Sequence, residues 1–294
     1  LLQLTRGTRR LAQGDFAVLV DESGKDELAE LAAHFNVMVS KLRELDQLKG
    51  DFVSHVSHEL KAPLASMQET TRLLMDEIPG SLNEKQQRLL KLNLACGERL
   101  SEMIKNLLDL SKIEADAMQY QFEITDLAAT VEMAVDEFRG LAGEKNLSLE
   151  IKLPDEPALI PCDEERCLQV LGNLISNAIK FSDRGKSITV EIQCLDTPPQ
   201  SIPEVKRHQL LTSSKRFCVI SVRDRGRGVS DKDKEKIFER FFVLTKGRKN
   251  LGQSTGLGLA ISRKIAEAHS GLLWVEDNPG GGSVFYLLLP DPGI

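Results

Sequence analysis

Between Leu28 and Leu45 the large apolar residues fall at 28, 31, 35, 38, 42 and 45, in alternating steps of three and four. That spacing is a heptad seam and predicts a helix that packs along a partner. Gly24 ends a loop before it and Asp26 is placed to cap it. Upstream, Leu4 and Leu11 predict a shorter helix, and Gly14 to Val20 an extended connector. Two short helices and a connector cannot bury such a seam alone, so a parallel partner chain is expected, with a lone amphipathic helix on a larger domain as the second reading. From Asp46 to Asp116 the pattern changes phase. Phe52, Val56, Leu60 and Leu64 recur every four residues, and Leu89, Cys96, Met103 and Leu110 every seven, with Leu100 and Leu107 alongside. Pro79-Gly80-Ser81 interrupts the two runs. The expectation is an antiparallel helical hairpin that pairs with its copy into a four-helix bundle.

Beyond Tyr120 short strand-like runs appear at Leu147–Leu153, Ser187–Cys194, Phe217–Arg223, Leu272–Glu276 and Ser283–Leu289. Helical runs at Glu164–Lys180 and Leu257–His269 lie between them. Gly271 stands where a helix C-cap belongs, and Asn278 to Gly282 reads as a hairpin turn. The proline-bearing, polar stretch Thr197–Ser214 reads as a long surface loop. The pattern predicts an α/β two-layer sandwich, mixed or antiparallel. The expected division is 1–45 as a helix–connector–helix segment, 46–118 as the helical hairpin and 119–294 as the α/β domain.

Composition narrows the class. The 294 residues are 41% apolar and 28% charged, as in soluble multidomain proteins, and the net charge of −6 argues against nucleic-acid binding. The five cysteines form no CxxC, so reduced thiols in a cytosolic compartment are expected. No apolar run approaches the ~18 residues of a membrane helix, and no signal peptide is present. The chain opens on Leu1-Leu2 and not on methionine, which reads as a piece excised from a longer protein.

Four stretches carry candidate chemistry. In "VSHVSHELKAPL" (53–64), His58 falls off the apolar row and is expected to face solvent from a rigid helix. A metal reading of His55, His58 and Glu59 fails, because HEXXH needs histidines at i and i+4. His34, His208 and His269 read as ordinary exposed or half-buried histidines. Asn173, Asn177 and Lys180 are spaced i, i+4 and i+7 and share one helix face. An amide oxygen can ligate a hard cation, and a lysine can meet phosphate. A plain polar outer stripe would look similar. Asp224-Arg-Gly226-Arg-Gly228 follows a strand; a carboxylate there can accept from an exocyclic amine, and glycines admit a flat ring. Gly252, Gly256 and Gly258 open a helix, where free N–H groups and the dipole favour phosphate. The spacing is neither a Walker loop nor a Rossmann fingerprint. Ile237 to Phe242 lies between the last two clusters, within a long segment able to close over a nucleotide.

Taken in this order, the stretches resemble the sensor histidine kinases of two-component systems. "SHELKAPL" resembles their H-box, Asn173 to Lys180 the N-box, and Asp224 to Gly228 the G1 box. Phe238 to Phe242 resembles the F-box, Gly252 to Gly258 the G2 box, and "RRLAQGDFAV…KDELAELAAHFNVM" a HAMP linker. The resemblance implies a Bergerat-type (GHKL-like) ATP-binding domain with ATP and Mg²⁺ as cofactors. His58 would be the phosphoacceptor and Glu59 the general base that orients its ring. Asn173 would hold Mg²⁺; Asn177, Lys180, Asp224, Gly226, Gly228, Phe238, Gly252, Gly256 and Gly258 would bind ATP. It further implies a homodimer, a response regulator as partner, and a membrane-anchored parent with this piece on the cytoplasmic side of a bacterial inner membrane.

Pro63 is expected to kink the helix that carries His58. Ala62 departs from the family, which often has threonine or asparagine four residues after the histidine to orient a water. Weak phosphatase activity follows as an expectation. Two other readings compete with this one. The gyrase-, Hsp90- and MutL-like ATPases carry a glutamate where this chain has Asn173. A dimeric adaptor without catalysis is disfavoured by the intact Asn173, Asp224 and glycines.

Overall fold

The computed structural model describes residues 2–12, 15, 17–23, 27–115, 117–202, 204–214, 216–244 and 255–291. Of His58 and of several other helical residues it describes the backbone alone. The chain divides into two compact units, Leu1–Met118 and Gln119–Ile294.

The first unit is helical: α1 (Leu2–Ala12), α2 (Glu27–Met75) and α3 (Glu84–Glu114). The expected linker helix and first hairpin helix are one continuous helix of 49 residues. Pro63 sits inside it without ending it, so the carbonyl of Glu59, four residues back, loses its helical donor while the helix continues. The cap expected of Asp26 lies outside the described residues.

The heptad seam divides. Phe35 is buried with Ala32 and Val39 against connector residues Val18 and Val20, with Leu4 and Leu11 of α1 packed on them. Leu28, Leu31, Met38 and Leu45 remain exposed. The physical reason is a shift of face: the connector occupies the groove beside the seam. Asn36 holds it there, its Oδ1 accepting from the Val20 N–H at 2.9 Å and its Nδ2 donating to the Val20 carbonyl at 2.7 Å.

The hairpin turn behaves as its residues dictate. Asn83 caps α3 in a capping box with Gln86. Leu64 and Thr71 of α2 and Ile104 and Leu110 of α3 are buried, whereas Phe52, Leu60, Met67, Leu89, Leu92, Leu100 and Leu107 stay exposed in a single chain. The every-fourth row on α2 therefore splits, since a step of four drifts around a helix of 3.6 residues per turn.

The second unit contains β1 (Glu123–Asp126), α4 (Leu127–Glu144), β2 (Ser148–Lys152), β3 (Leu159–Cys162), α5 (Glu164–Phe181), β4 (Ser187–Leu195), α6 (Glu204–Ser213), β5 (Arg216–Arg223), a 3-10 turn (Lys236–Phe238), α7 (Gly258–Ala268), β6 (Leu272–Asp277) and β7 (Ser283–Asp291). Strands β2-β4-β5-β7-β6 form one sheet, parallel only between β2 and β4. Strands β1 and β3 form a separate antiparallel pair. Alternate strand residues Ile188, Val190, Ile220 and Val222 are fully buried, as are Leu171, Leu174 and Ile175 of α5 and Ile261 and Ile265 of α7.

Three expectations are corrected. The stretch Thr197–Ser214 is not a loop throughout: it carries α6, whose Leu210 joins Ile202, Phe217, Val219 and Leu288 in a buried cluster on the other sheet face. Gly271 is not at the C-cap. Ser270 takes the left-handed conformation (φ 56°), and Gly271 follows it, donating to the Ala266 carbonyl. That is a Schellman motif one residue earlier than expected. His269 is neither exposed nor half-exposed: it is buried under Tyr120 and Phe122. Its Nε2 accepts from the Asp163 N–H at 3.0 Å and its Nδ1 meets the Ile265 carbonyl at 2.8 Å. Burial pushes its pKa below the ordinary histidine value, against the opposing effects of the Ile265 carbonyl and Asp163.

Candidate nucleotide site and phosphoacceptor helix

The site in the second unit is built on α5, the end of β5 and the start of α7. Helix α5 is N-capped by Asp163, whose Oδ1 accepts from the Arg166 N–H and whose Oδ2 accepts from the Gln121 N–H. Its buried face is Val170, Leu171, Leu174, Ile175, Ala178 and Ile179. Asn173, Asn177 and Lys180 fall on the half-buried opposite face, together, as their spacing predicts. Asn173 is oriented from α7: its Nδ2 donates to the buried Ser262 hydroxyl at 3.0 Å. Its Oδ1 then accepts from Asn177 Nδ2 at 3.3 Å. A side chain at Gly258 would overlap that amide, so only glycine lets α7 begin so close to α5.

Asp224 directly follows β5 and is only 4% exposed. Its Oδ1 accepts from the Gly226 N–H at 2.7 Å and the Ser283 N–H at 3.2 Å. Its backbone is fixed as well, by Ser283 and by Asn278 Nδ2. Among the described residues nothing engages Oδ2, which leaves one carboxylate oxygen for an outside donor. Burial raises the Asp224 pKa above the ordinary carboxylate range, and the two backbone N–H groups pull it back. At Gly226 a Cβ would stand 2.5 Å from the Phe181 carbonyl oxygen, so this turn admits no side chain.

A cavity of about 460 Å³ is lined by Lys145, Lys180, Phe181, Ser182, Arg184 and Arg227, with Asp183 and with Gly226, two residues past Asp224; Asp224, Asn173 and Asn177 do not line it. The Arg227 guanidinium lies 5.2 Å and the Lys180 ammonium 5.8 Å from the Phe181 ring centre. The Ser182 hydroxyl is buried and has no hydrogen-bond partner among the described residues. An aromatic wall and several cations fit an aromatic, anionic ligand. Sequence reasoning missed Lys145, Phe181, Ser182 and Arg227. Phe181 and Ser182 directly follow Lys180, but Lys145 comes from the end of α4 and no local signal marks it. Its Nζ donates to the Ile179 and Lys180 carbonyls at 2.8 and 3.2 Å, closing the last turn of α5.

The remaining expected residues are spread around this core. Gly228 (φ 73°) closes the turn after Asp224. Gly256 accepts, through its carbonyl, from the Phe241 N–H at 2.9 Å. Gly252 lies outside the described residues. Phe238 is buried, with the Arg263 guanidinium 5.3 Å from its ring centre, and joins the 3-10 turn to α7. Helix α7 starts without a side-chain cap, which leaves its first N–H groups for a ligand.

In the first unit, His58 lies within α2, and Glu59, Ala62 and His55 are exposed on the same helix. The expectation about how the His58 ring is directed falls on a side chain outside the described residues. Among those residues Glu59 has no partner, and no group of three histidine, cysteine, aspartate or glutamate side chains could hold a metal.

A helical hairpin followed by a mixed sheet with an asparagine-bearing helix and a buried aspartate defines the class: a phosphoacceptor hairpin joined to a GHKL-type ATPase domain. Comparison with known proteins makes it specific. Residues 1–44 match the HAMP domain, 48–116 the His Kinase A (phospho-acceptor) domain, and 162–293 the histidine kinase-, DNA gyrase B- and HSP90-like ATPase family. The signal transduction histidine-protein kinase BaeS of Escherichia coli is 30% identical over 288 residues, covering 98% of this chain and 56% of BaeS. The sensor histidine kinase WalK of Bacillus subtilis is 28% identical over 298 residues, covering 95% of this chain and 45% of WalK. The crystal structure of full-length ShkA with AMPPNP superposes with a TM-score of 0.62 at 24% identity, over 82% of this chain and 45% of ShkA, a likeness of fold. The chain belongs to the sensor histidine kinases of two-component systems. It spans about half the length of the curated relatives it matches, and no helix among its described residues is long and apolar enough to cross a membrane.

Proposed function

We propose that this chain binds ATP in its second unit, transfers the γ-phosphoryl to His58, and passes it to an aspartate of a response regulator. The observation that carries the reading is Asp224: a buried carboxylate with one oxygen held by two backbone N–H groups and the other free for an exocyclic amine. Phe181, Lys180 and Arg227 supply a ring face and positive charge.

Each residue has a task in this reading. Asp224 recognises the base, and Gly226 and Gly228 let it approach. Lys180 and the first N–H groups of α7, which starts at Gly258 just past Gly256, meet the phosphates; Asn177 holds the Asn173 amide and lies near them. Gly252 and Phe238 belong to the same nucleotide-binding region. Mg²⁺ fits Asn173 Oδ1, a hard oxygen donor already oriented through Ser262, and would neutralise phosphate charge there. The His58 imidazole is the nucleophile, and Glu59 takes its proton and sets its tautomer.

The exposed apolar residues Phe52, Leu60, Met67, Leu89, Leu100 and Leu107 support a homodimer through α2 and α3. The domains we assign are 1–45, 46–118 and 119–294. The continuous α2 supports regulation of His58 through the HAMP linker. We place the chain on the cytoplasmic side of a bacterial inner membrane, anchored by its parent protein. Ala62 cannot hydrogen-bond a water, so phosphatase activity toward the phosphorylated regulator is weak. Ala62→Thr is expected to raise the dephosphorylation rate severalfold, and an unchanged rate would remove this part of the reading. The test of the whole is radiolabelled ATP with isolated wild type and His58→Gln: acid-labile label on the first alone supports it.

A further inference from the structure

The five cysteines are all free thiols, but they are not equivalent. Cys194 on β4 and Cys218 on β5 are direct partners across the antiparallel pair, and their sulfurs stand 3.2 Å apart. Opposed residues of an antiparallel pair have Cα atoms about 4.5–5.5 Å apart. A disulfide takes Cα separations of about 4.4–6.8 Å, with a sulfur–sulfur bond of about 2.05 Å. Closing the remaining gap requires side-chain rotation and a small strand adjustment, and no change of register.

Access differs between the two. Cys218 is buried, and burial pushes its thiol pKa well up, so it is a poor first nucleophile. Cys194 is half-buried near the end of β4 and is the more exposed of the two. The other close pair, Cys162 and Cys167, is buried at both members.

We infer that Cys194 and Cys218 form a reversible thiol–disulfide site that reacts with small-molecule disulfides. The Cys194 thiolate attacks one sulfur of glutathione disulfide and releases one glutathione thiolate. Cys218 then attacks the Cys194 sulfur, gives up its proton, and releases the second glutathione. Two protein thiols are oxidised to one disulfide, and one glutathione disulfide is reduced to two thiols. The bond would tie β4 to β5 near the end of β5 remote from Asp224. The site is independent of the kinase reading: it needs neither ATP nor His58.

The experiment equilibrates the whole chain in glutathione buffers of graded oxidised-to-reduced ratio, quenches with acid, alkylates the unfolded protein and maps peptides by mass spectrometry. The expected result is a Cys194–Cys218 linked peptide pair, two hydrogens lighter than the free pair, that grows with the oxidised fraction and disappears with dithiothreitol. In Cys194→Ser and Cys194→Ala, each checked for folding by circular dichroism, the linked pair should be absent and Cys218 fully alkylated. Complete alkylation of both cysteines at every ratio would overturn the inference. So would a mixed disulfide that stops at Cys194.

Discussion

The Asn173 amide nitrogen donates to the buried Ser262 hydroxyl at 3.0 Å, so α7 sets the orientation of an α5 side chain 89 residues away in sequence. With the nitrogen occupied, the amide oxygen faces Asn177 and the start of α7. A single hydroxyl thereby decides which atom of Asn173 a cation would meet.

Ser262→Ala should therefore act on magnesium more than on fold. Support of a ligand by its outer partner is worth about tenfold or more in metal affinity. The expected outcome is a rise of about tenfold in the Mg²⁺ concentration that half-saturates autophosphorylation, with ATP binding measured without metal little changed. A titration of rate against Mg²⁺ checks it, and an unchanged midpoint would contradict the role of Asn173.

Asp224→Asn separates recognition from stability. The carboxamide oxygen can keep the bonds from Gly226 and Ser283, and the burial that raises the Asp224 pKa no longer opposes a charge. A raised carboxyl pKa costs folded-state stability above the ordinary aspartate pKa, so the variant should unfold no earlier than wild type at pH 7. Its amide nitrogen would face the donor of the base, and a mispaired buried group costs about 1–3 kcal/mol. Calorimetric titration should show ATP affinity down by at least about tenfold with the melting temperature kept.

Lys145→Met tests the closure of α5. Loss of the bonds to the Ile179 and Lys180 carbonyls should cost about 1 kcal/mol in urea unfolding. It should also raise the KM for ATP more than it lowers kcat, because Lys180 and Phe181 occupy the loosened turn. An equal fall in kcat with constant KM would contradict a positioning role.

His269 predicts acid sensitivity. Its pKa is depressed in the fold, so its stabilising contribution is complete above the ordinary histidine value, about 6.5, and is lost as pH falls below it. Thermal unfolding followed from pH 7.5 to pH 5 should show a steeper loss for wild type than for His269→Gln.

How much of this was legible follows from the kind of signal each residue carries. The polar face Asn173, Asn177 and Lys180 could be read directly, because a helix of regular period fixes which side chains share a side. The strands with alternating burial, β4 and β6, were legible for the same reason. Helix α6 was not: Pro198, Pro199 and Pro203 and many polar residues precede or fill it, and its place depends on Leu210 meeting Phe217 and Leu288. Strands β1 and β3 have four residues each and pair only with one another, too short for a period to show. His269 and Lys145 owe their roles to backbone groups 106 and 34 residues away, and no local pattern encodes such a distance. The exposed seam of Leu28, Leu31, Met38 and Leu45 was legible as apolar spacing but not as a face left open when the connector packs beside it.

The most direct measurement is the fate of the terminal phosphoryl. The full chain is incubated with γ-labelled ATP and Mg²⁺, and protein-bound label is separated from free phosphate. The account predicts label on the protein that acid removes and alkali leaves, absent from His58→Gln. Label released mainly as free phosphate, or retained on His58→Gln, would contradict it.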